Sequence, residues 1–312
     1  MIGVGVMGAH HARVYGELPE AQLVAVADAD EARLADVRWG DGVRAYQDYG
    51  KMLAEEALDA VSIAVPTRRH IDVVLACIER GVPLLVEKPL AADLDECILL
   101  KEAAECAGVS MMVGHIERFN PVVLGAREWI REGKLGQIHE ARMQRIGPFY
   151  ERMRDVGVVH DLATHDIDIL RVLFDCEIER VSAEVQSGVR TPYEDSLSAV
   201  LRLTSGIVAS LEVNWLSPSK FRGVSVLCDQ GTLVGHYIPQ TLTLELPSGE
   251  SENIPLEHSE PLRAELEAFL SVARSNDPPP VAADDAIAVM RVVEALIESA
   301  KRGVALPLAG TS

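Results

Sequence analysis

Two periodicities divide the chain. Over roughly the first 115 residues, short apolar runs alternate with helix-like segments. Leu23-Val24-Ala25-Val26-Ala27, Ala60-Val61-Ser62-Ile63-Ala64-Val65, Leu84-Leu85-Val86 and Met111-Met112-Val113 are continuous and short. Such runs predict strands buried on both faces. Between them, residues 71–80 and 93–106 read as helices, and Gly81 follows the first as a residue free to turn left-handed. Strand and helix in alternation predict a parallel, doubly wound sheet. After about residue 135 the spacing tightens. Segments 137–147, 177–188, 195–216, 224–238 and 241–246 are rich in β-branched residues, and Ser205-Gly206 between two apolar runs marks a hairpin. Helical patterns close the chain at 262–275 and 284–301, separated by Pro278-Pro279-Pro280. The expected architecture is an α/β Rossmann domain over residues 1–117. An α+β domain with a large, mostly antiparallel, open-faced sheet follows over residues 118–312.

Charge and cysteine usage narrow the function classes. Asp and Glu number 48 against 29 Lys and Arg, a net charge of −19 in 312 residues, which disfavours nucleic acid as a partner. The five cysteines Cys77, Cys97, Cys106, Cys176 and Cys228 include no C-x-x-C pair, as expected of reduced thiols in a cytoplasmic protein. There is no run of 18 apolar residues, and the first residues lack a basic leader, so neither a membrane nor a secretory route is expected.

The N-terminus carries a chemical signal. Gly3-Val4-Gly5-Val6-Met7-Gly8 fits G-x-G-x-x-G, the turn that brings backbone N–H groups and a helix N-terminus to a pyrophosphate. Asp28, twenty residues past Gly8, closes the strand that ends at Ala27. A carboxylate there accepts the ribose hydroxyls and repels a 2′-phosphate, which favours NAD over NADP. The alternative is a tight strand-to-helix turn beside a surface aspartate. Only Met1 and Ile2 precede Gly3, whereas a central strand commonly has about five residues. The expectation is that the first strand is truncated by a late start, with the true N-terminus upstream.

Three further stretches are Ala64-Val65-Pro66-Thr67-Arg68-Arg69-His70, Leu84-Leu85-Val86-Glu87-Lys88-Pro89-Leu90-Ala91 and Val159-His160-Asp161-Leu162-Ala163-Thr164-His165-Asp166-Ile167-Asp168. With the N-terminal glycines, they resemble the glucose–fructose oxidoreductase / inositol dehydrogenase (Gfo/Idh/MocA) family over nearly the whole chain. Within it, Val113–Pro121 and residues 154–159 look like the nucleotide-sugar 3-dehydrogenases that act on UDP-N-acetylglucosamine.

Read on their own chemistry, Lys88, Asp161 and His165 suit alcohol oxidation. An imidazole titrating near pH ~6.5 can take the hydroxyl proton. A carboxylate four residues earlier on a helix can orient it, and an ammonium can stabilise the developing alkoxide. The resemblance gives these three the same catalytic roles and implies a Lys88–Pro89 bond open to the cis form. It places Thr67 and His70 along the nicotinamide side, with Gly3, Gly5, Val6, Met7, Gly8, Asp28 and Glu87 also at the cofactor.

Other readings of these residues stand beside this one. Lys88 could be a solvated loop lysine, His70 a residue of its own helix turn, and Asp161 and His165 a cap and an exposed histidine. A metal is not expected, because the nine histidines are scattered. Arg142, Arg145, Arg152 and Arg154 lie within thirteen residues of an acidic chain, so they could hold a substrate pyrophosphate or equally form a solvated basic face. Arg118 and Asn120 are further candidate substrate contacts.

The expected activity is NAD-dependent oxidation of a sugar hydroxyl, at C3 of a nucleotide sugar. An inositol or free-sugar dehydrogenase is the alternative, and a non-catalytic dinucleotide-binding regulator is the alternative from another class. The open sheet face suggests a homodimer or homotetramer.

Overall fold

The computed structural model describes residues 1–35, 39–40, 42–149, 156–275 and 277–308. They pack into two units. The first comprises Met1–Ile116 and Leu262–Ala288, and the second Glu117–Pro261 and Val289–Ser312. The division near 117 lies where the motifs change character. The continuous second domain expected from 118 onward is corrected by residues 262–288, whose contacts are with the first unit.

In the first unit, α1 (Val6–Glu17) precedes β1 (Ala25–Ala27), α2 (Glu31–Leu34), β2 (Arg44–Tyr46), α3 (Tyr49–Glu55) and β3 (Val61–Ile63). The chain continues through α4 (His70–Glu79), β4 (Leu84–Glu87), α5 (Leu94–Ala107) and β5 (Met111–Gly114). All strand pairs are parallel: β1 with β2, β3 with β4, and β4 with β5. Ile2 bridges the two groups, pairing in parallel with Ala27 on one side and Ile63 on the other. The Ile2 N–H donates to the Ser62 carbonyl at 2.9 Å, and the Ala64 N–H to the Ile2 carbonyl at 2.8 Å. Strands β1, β3, β4 and β5 are buried at every position, as continuous apolar runs require. Asp93 caps α5 by accepting the Glu96 N–H at 2.9 Å, and Gly108 closes it in the left-handed region at φ 64°. Helix α8 (Pro261–Ser275) and the start of α9 (Ala283–Arg302) complete this unit. The Val113 N–H donates to the Val281 carbonyl at 3.1 Å, and Lys101 pairs with Asp284 at 2.6 Å.

The second unit contains α6 (Pro121–Arg131), β6 (Ile138–Pro148), α7 (Thr164–Phe174), β7 (Ile178–Ser187), β8 (Glu194–Leu203), β9 (Val208–Asn214) and β10 (Leu216–Cys228). Then come β11 (Gly231–His236), β12 (Thr241–Glu245), β13 (Ser251–Ile254) and β14 (Leu306–Pro307). Nine of these strands form one sheet in the order β13-β12-β11-β10-β6-β9-β8-β7-β14, antiparallel except for β6 beside β9. Helices α6 and α7 pack on each other, and they contact β11 and β6 respectively. Along β8, Leu197, Ala199, Leu201 and Leu203 are buried while Ser198 and Val200 are exposed. Each buried Leu contributes about 1.5–3 kcal/mol by leaving water. The segment expected at 224–238 is two strands, because Gly231 turns the chain at φ 135° and a Cβ there would overlap the Glu245 carbonyl.

Gly8 is set by packing, since a Cβ on it would run into the Gly3 carbonyl oxygen. Replacing Gly8 with Ala should therefore cost roughly 1–3 kcal/mol of stability through overpacking, read as a lowered denaturant midpoint.

Candidate functional site

The glycine-rich turn shows which of its residues the protein itself demands. Gly3 stands at φ 83°, and a Cβ on it would lie 2.5 Å from the Ala64 carbonyl oxygen. At Gly5 a Cβ would meet only Arg33, 3.6 Å away. The space above Gly5 is thus open, and it lies at the N-cap of α1, where Val6 and Met7 begin the helix without a side-chain cap. Backbone N–H groups facing open space at a helix start are what a pyrophosphate requires. Asp28 organises the neighbouring rim. Its carboxylate accepts the Val4 N–H at 2.9 Å and the Asp30 N–H at 2.9 Å, with Arg33 3.4 Å away. A cleft of about 650 Å³ is lined by Gly3, Asp28, Arg33, Val65 and Arg69 among others. The residues present therefore fit a dinucleotide.

Lys88 follows β4 at the carboxyl end of the sheet, half-buried, with a cis bond to Pro89. Two residues expected at the cofactor turn out to be bound within the protein. Glu87 is buried, and its carboxylate pairs with His11 Nε2 at 2.9 Å. Burial alone would raise its pKa, but the His11 hydrogen bond and charge, with Lys88 and His70, bring it below the ordinary carboxyl value. His70 is 1% exposed. Its Nδ1 lies 3.1 Å from the Leu90 carbonyl and its Nε2 3.0 Å from the Val65 carbonyl. Both ring nitrogens face backbone, and burial pushes the pKa down. Thr67 stays half-buried in the 3₁₀ turn Thr67–Arg69, past the end of β3.

Glu265, on α8, adds a buried acid to this corner. It is fully buried beside His11 and Glu87, and one ligand-type atom from each of the three lies within 4.8 Å of the others. Neither Glu265 oxygen has a hydrogen-bond partner among the described residues. Burial, and then the Glu87 charge, raise its pKa well above the usual value. The available signal was its register: Glu265 interrupts the apolar stripe Leu262, Leu266, Phe269 and Val272.

In the second unit, Asp161 lies in the π-helical turn Val159–Ala163 and His165 in the first turn of α7. The wider turn replaces the regular helix on which the expected four-residue spacing rested. His165 is buried and Asp161 half-buried. Beneath α7 lies an ion network. Arg145 is 1% exposed and binds Asp166 through Nε at 2.9 Å and Nη2 at 3.1 Å, and Glu117 through Nη1 at 2.8 Å. Arg222 adds a second guanidinium 3.6 Å from Glu117. Burial alone would raise the Glu117 pKa, yet Arg145 holds it down.

Arg145 is therefore a structural cation, not part of a solvated or phosphate-binding face. Arg118 and Asn120, the other candidate substrate contacts, have partners within the protein. Arg118 forms a two-pronged pair with Asp168 at 2.8 and 2.6 Å. Asn120 caps α6 by accepting the Val122 N–H and donates to Glu117 and the Tyr237 carbonyl, at 4% exposure. Arg152 and Arg154 lie outside the described residues. No helix among the described residues is long and apolar enough to cross a membrane.

Comparison with known proteins matches residues 1–115 to "Oxidoreductase family, NAD-binding Rossmann fold" and residues 123–234 to the "GFO/IDH/MocA C-terminal domain". The chain belongs to the Gfo/Idh/MocA family. It is an oxidoreductase with an NAD-binding Rossmann domain. Among its relatives, the UDP-N-acetylglucosamine 3-dehydrogenase of Acidithiobacillus ferrooxidans is 29% identical over 96% of this chain and 94% of its own. Inositol 2-dehydrogenase 2 of Saccharopolyspora erythraea is 29% identical over 99% and 94%. A solved structure of the Acidithiobacillus enzyme superposes with a TM-score of 0.86 at 28% identity, covering 96% of each chain.

Two outcomes test the buried charges. Replacing Arg145 with Ala leaves Asp166 and Glu117 uncompensated and should cost about 3–5 kcal/mol, measured by urea unfolding. Glu265 is neutral when folded and ionises on unfolding above the ordinary carboxyl value of 4.5. Its contribution is thus fully present below that value and is lost as pH rises. Glu265→Gln should gain on the parent protein as pH rises from 5 to 8, by roughly 2–4 °C in Tm per kcal/mol. A gap that stays constant with pH would contradict a neutral Glu265.

Proposed function

We propose that this family member oxidises the C3 hydroxyl of a nucleotide sugar of the UDP-N-acetylglucosamine kind, with Lys88, Asp161 and His165 acting on that hydroxyl. NAD, when bound, supplies the hydride acceptor. Lys88 donates to the reacting oxygen and favours its alkoxide character, while His165 takes the hydroxyl proton, so the alcohol carbon becomes a ketone carbon as its hydride leaves. Asp161 orients the imidazole and favours its protonated form. Gly3, Gly5, Gly8 and the helix start at Val6 and Met7 hold the pyrophosphate, Asp28 the ribose, and Thr67 the nicotinamide side. Arg152 and Arg154 hold the substrate phosphates.

The observation that carries the substrate assignment is the near full-length likeness, in sequence and fold, to a UDP-N-acetylglucosamine 3-dehydrogenase. The inositol dehydrogenase at the same identity supports a free polyol as the second reading. We place the protein in the cytoplasm and propose that a second copy covers the sheet face bearing Ser198, Val200 and Glu212. Light scattering on the purified protein reads that state directly, and a monomer at micromolar concentration rejects it.

NADH absorbance with UDP-sugars, inositol and hexoses decides the substrate. Turnover of UDP-sugars alone is expected, and turnover of inositol alone favours the second reading. NAD binding without turnover of any of them would favour a regulator. Lys88→Ala and His165→Ala should each lower kcat by about 10²–10⁴-fold. Replacing Arg152 and Arg154 with Ala should raise the UDP-sugar KM far more than the NAD KM.

A further inference from the structure

Two buried histidines grip the chain on either side of Lys88. On the amino side, His11 (0% exposed) reaches from α1 and holds the Glu87 carboxylate through Nε2 at 2.9 Å. On the carboxyl side, His70 (1% exposed) sits at the start of α4, with Nδ1 3.1 Å from the Leu90 carbonyl. Its Nε2 lies 3.0 Å from the Val65 carbonyl on the chain leaving β3, and a neutral ring can donate to only one of the two carbonyls at a time. Carbonyl oxygens only accept, so each His70 contact is a hydrogen bond when that nitrogen carries a proton. In the tautomer with the proton on Nδ1, the residue before Lys88 and the residue two beyond it are held from separate helices.

Resting on the reading that Lys88 acts on the substrate hydroxyl, we propose that His11 and His70 are positioning residues for the Lys88 ammonium. Each acts through a chain neighbour of Lys88 and not on the substrate. A lysine has a flexible four-carbon stem, so backbone placement decides how often its head reaches a reacting oxygen. Small displacements of a catalytic group are enough to lose a large share of rate.

The contacts use different nitrogens, which gives a paired test. An Asn amide nitrogen falls near the position of histidine Nδ1, and a Gln amide nitrogen near that of Nε2. At position 70 the Leu90 contact needs Nδ1, so His70→Asn keeps the grip on the lysine turn and His70→Gln loses it. At position 11 the Glu87 contact needs Nε2, so His11→Gln keeps the grip and His11→Asn loses it. We expect His70→Gln and His11→Asn to lower kcat about tenfold or more, with the dissociation constant of NAD within about twofold. They should also raise the primary deuterium isotope effect on the oxidised carbon. His70→Asn and His11→Gln should stay within about threefold of the parent.

A second readout needs no substrate: competitive acetylation of the Lys88 amine, followed by mass spectrometry on the NAD-bound protein. The two grip-losing variants should shift its labelling rate several-fold and the grip-keeping ones should not. The proposal is overturned if both members of each pair behave alike, or if kcat follows Tm across the four variants whatever the nitrogen retained. Lys88→Ala separates the two ideas. Full activity in that variant rejects the catalytic reading together with this one. An inactive Lys88→Ala beside matched pairs rejects only the histidine grip.

Discussion

A guanidinium stripped of water must be neutralised where it lies, and the second unit is arranged around one. Arg145 projects from β6 into the layer beneath α7, where Asp166 and Glu117 take its N–H groups. Neither carboxylate belongs to a free surface. Asp166 is the residue after His165, and Glu117 is also held by Asn120. The ion group therefore ties the start of α6, strand β6 and the first turn of α7 into one arrangement. The face of α7 that carries His165 follows from it, because turning the helix would leave charges buried and unpaired.

The first unit solves the opposite problem, which is to leave space. Gly3 lets the glycine-rich turn fold against the chain leaving β3 and Gly8 lets it close on itself, while Gly5 leaves its outer side open. Charge is handled sparingly behind this turn. One carboxylate, Glu87, is kept ionised by His11 and its cationic neighbours, and a second, Glu265, sits in the same buried corner without a hydrogen-bond partner among the described residues. Two acids this close in a dry site are pushed to different protonation states, as like charges are elsewhere.

Much of this was readable from the sequence where local rules decide. The continuous apolar strands, the hairpin at Ser205-Gly206 and Gly81 after the helix at 71–80 are local signals, and the motifs around Lys88 and His165 carried the family. What escaped depends on distant pairing. Charge alone does not tell Arg145, which points into the sheet's covered side, from Arg142, which is exposed and bound to Glu140. Alternation along β6 was the missing step. The resemblance implies His70 and Glu87 at the cofactor but says nothing of the partners that hold their side chains. Their neighbours in space, Leu90 and His11, come from elsewhere in the chain. The return of residues 262–288 to the first unit has no local signal beyond an acid in an apolar stripe.

That return has a consequence for how the protein is made. Synthesis runs from the N-terminus, and small domains commonly fold as they emerge. Here the cofactor-binding unit lacks its last pieces until the 145 residues of the intervening segment, Glu117–Pro261, have been added. The partners of Val113, Lys101 and Glu20, which are Val281, Asp284 and Arg274, all arrive late. A nascent chain that already carries the glycine-rich turn and Lys88 is thus still an open sheet with part of its apolar surface uncovered. The nucleotide-binding unit of this enzyme is begun before the second unit and completed only after most of it has been made.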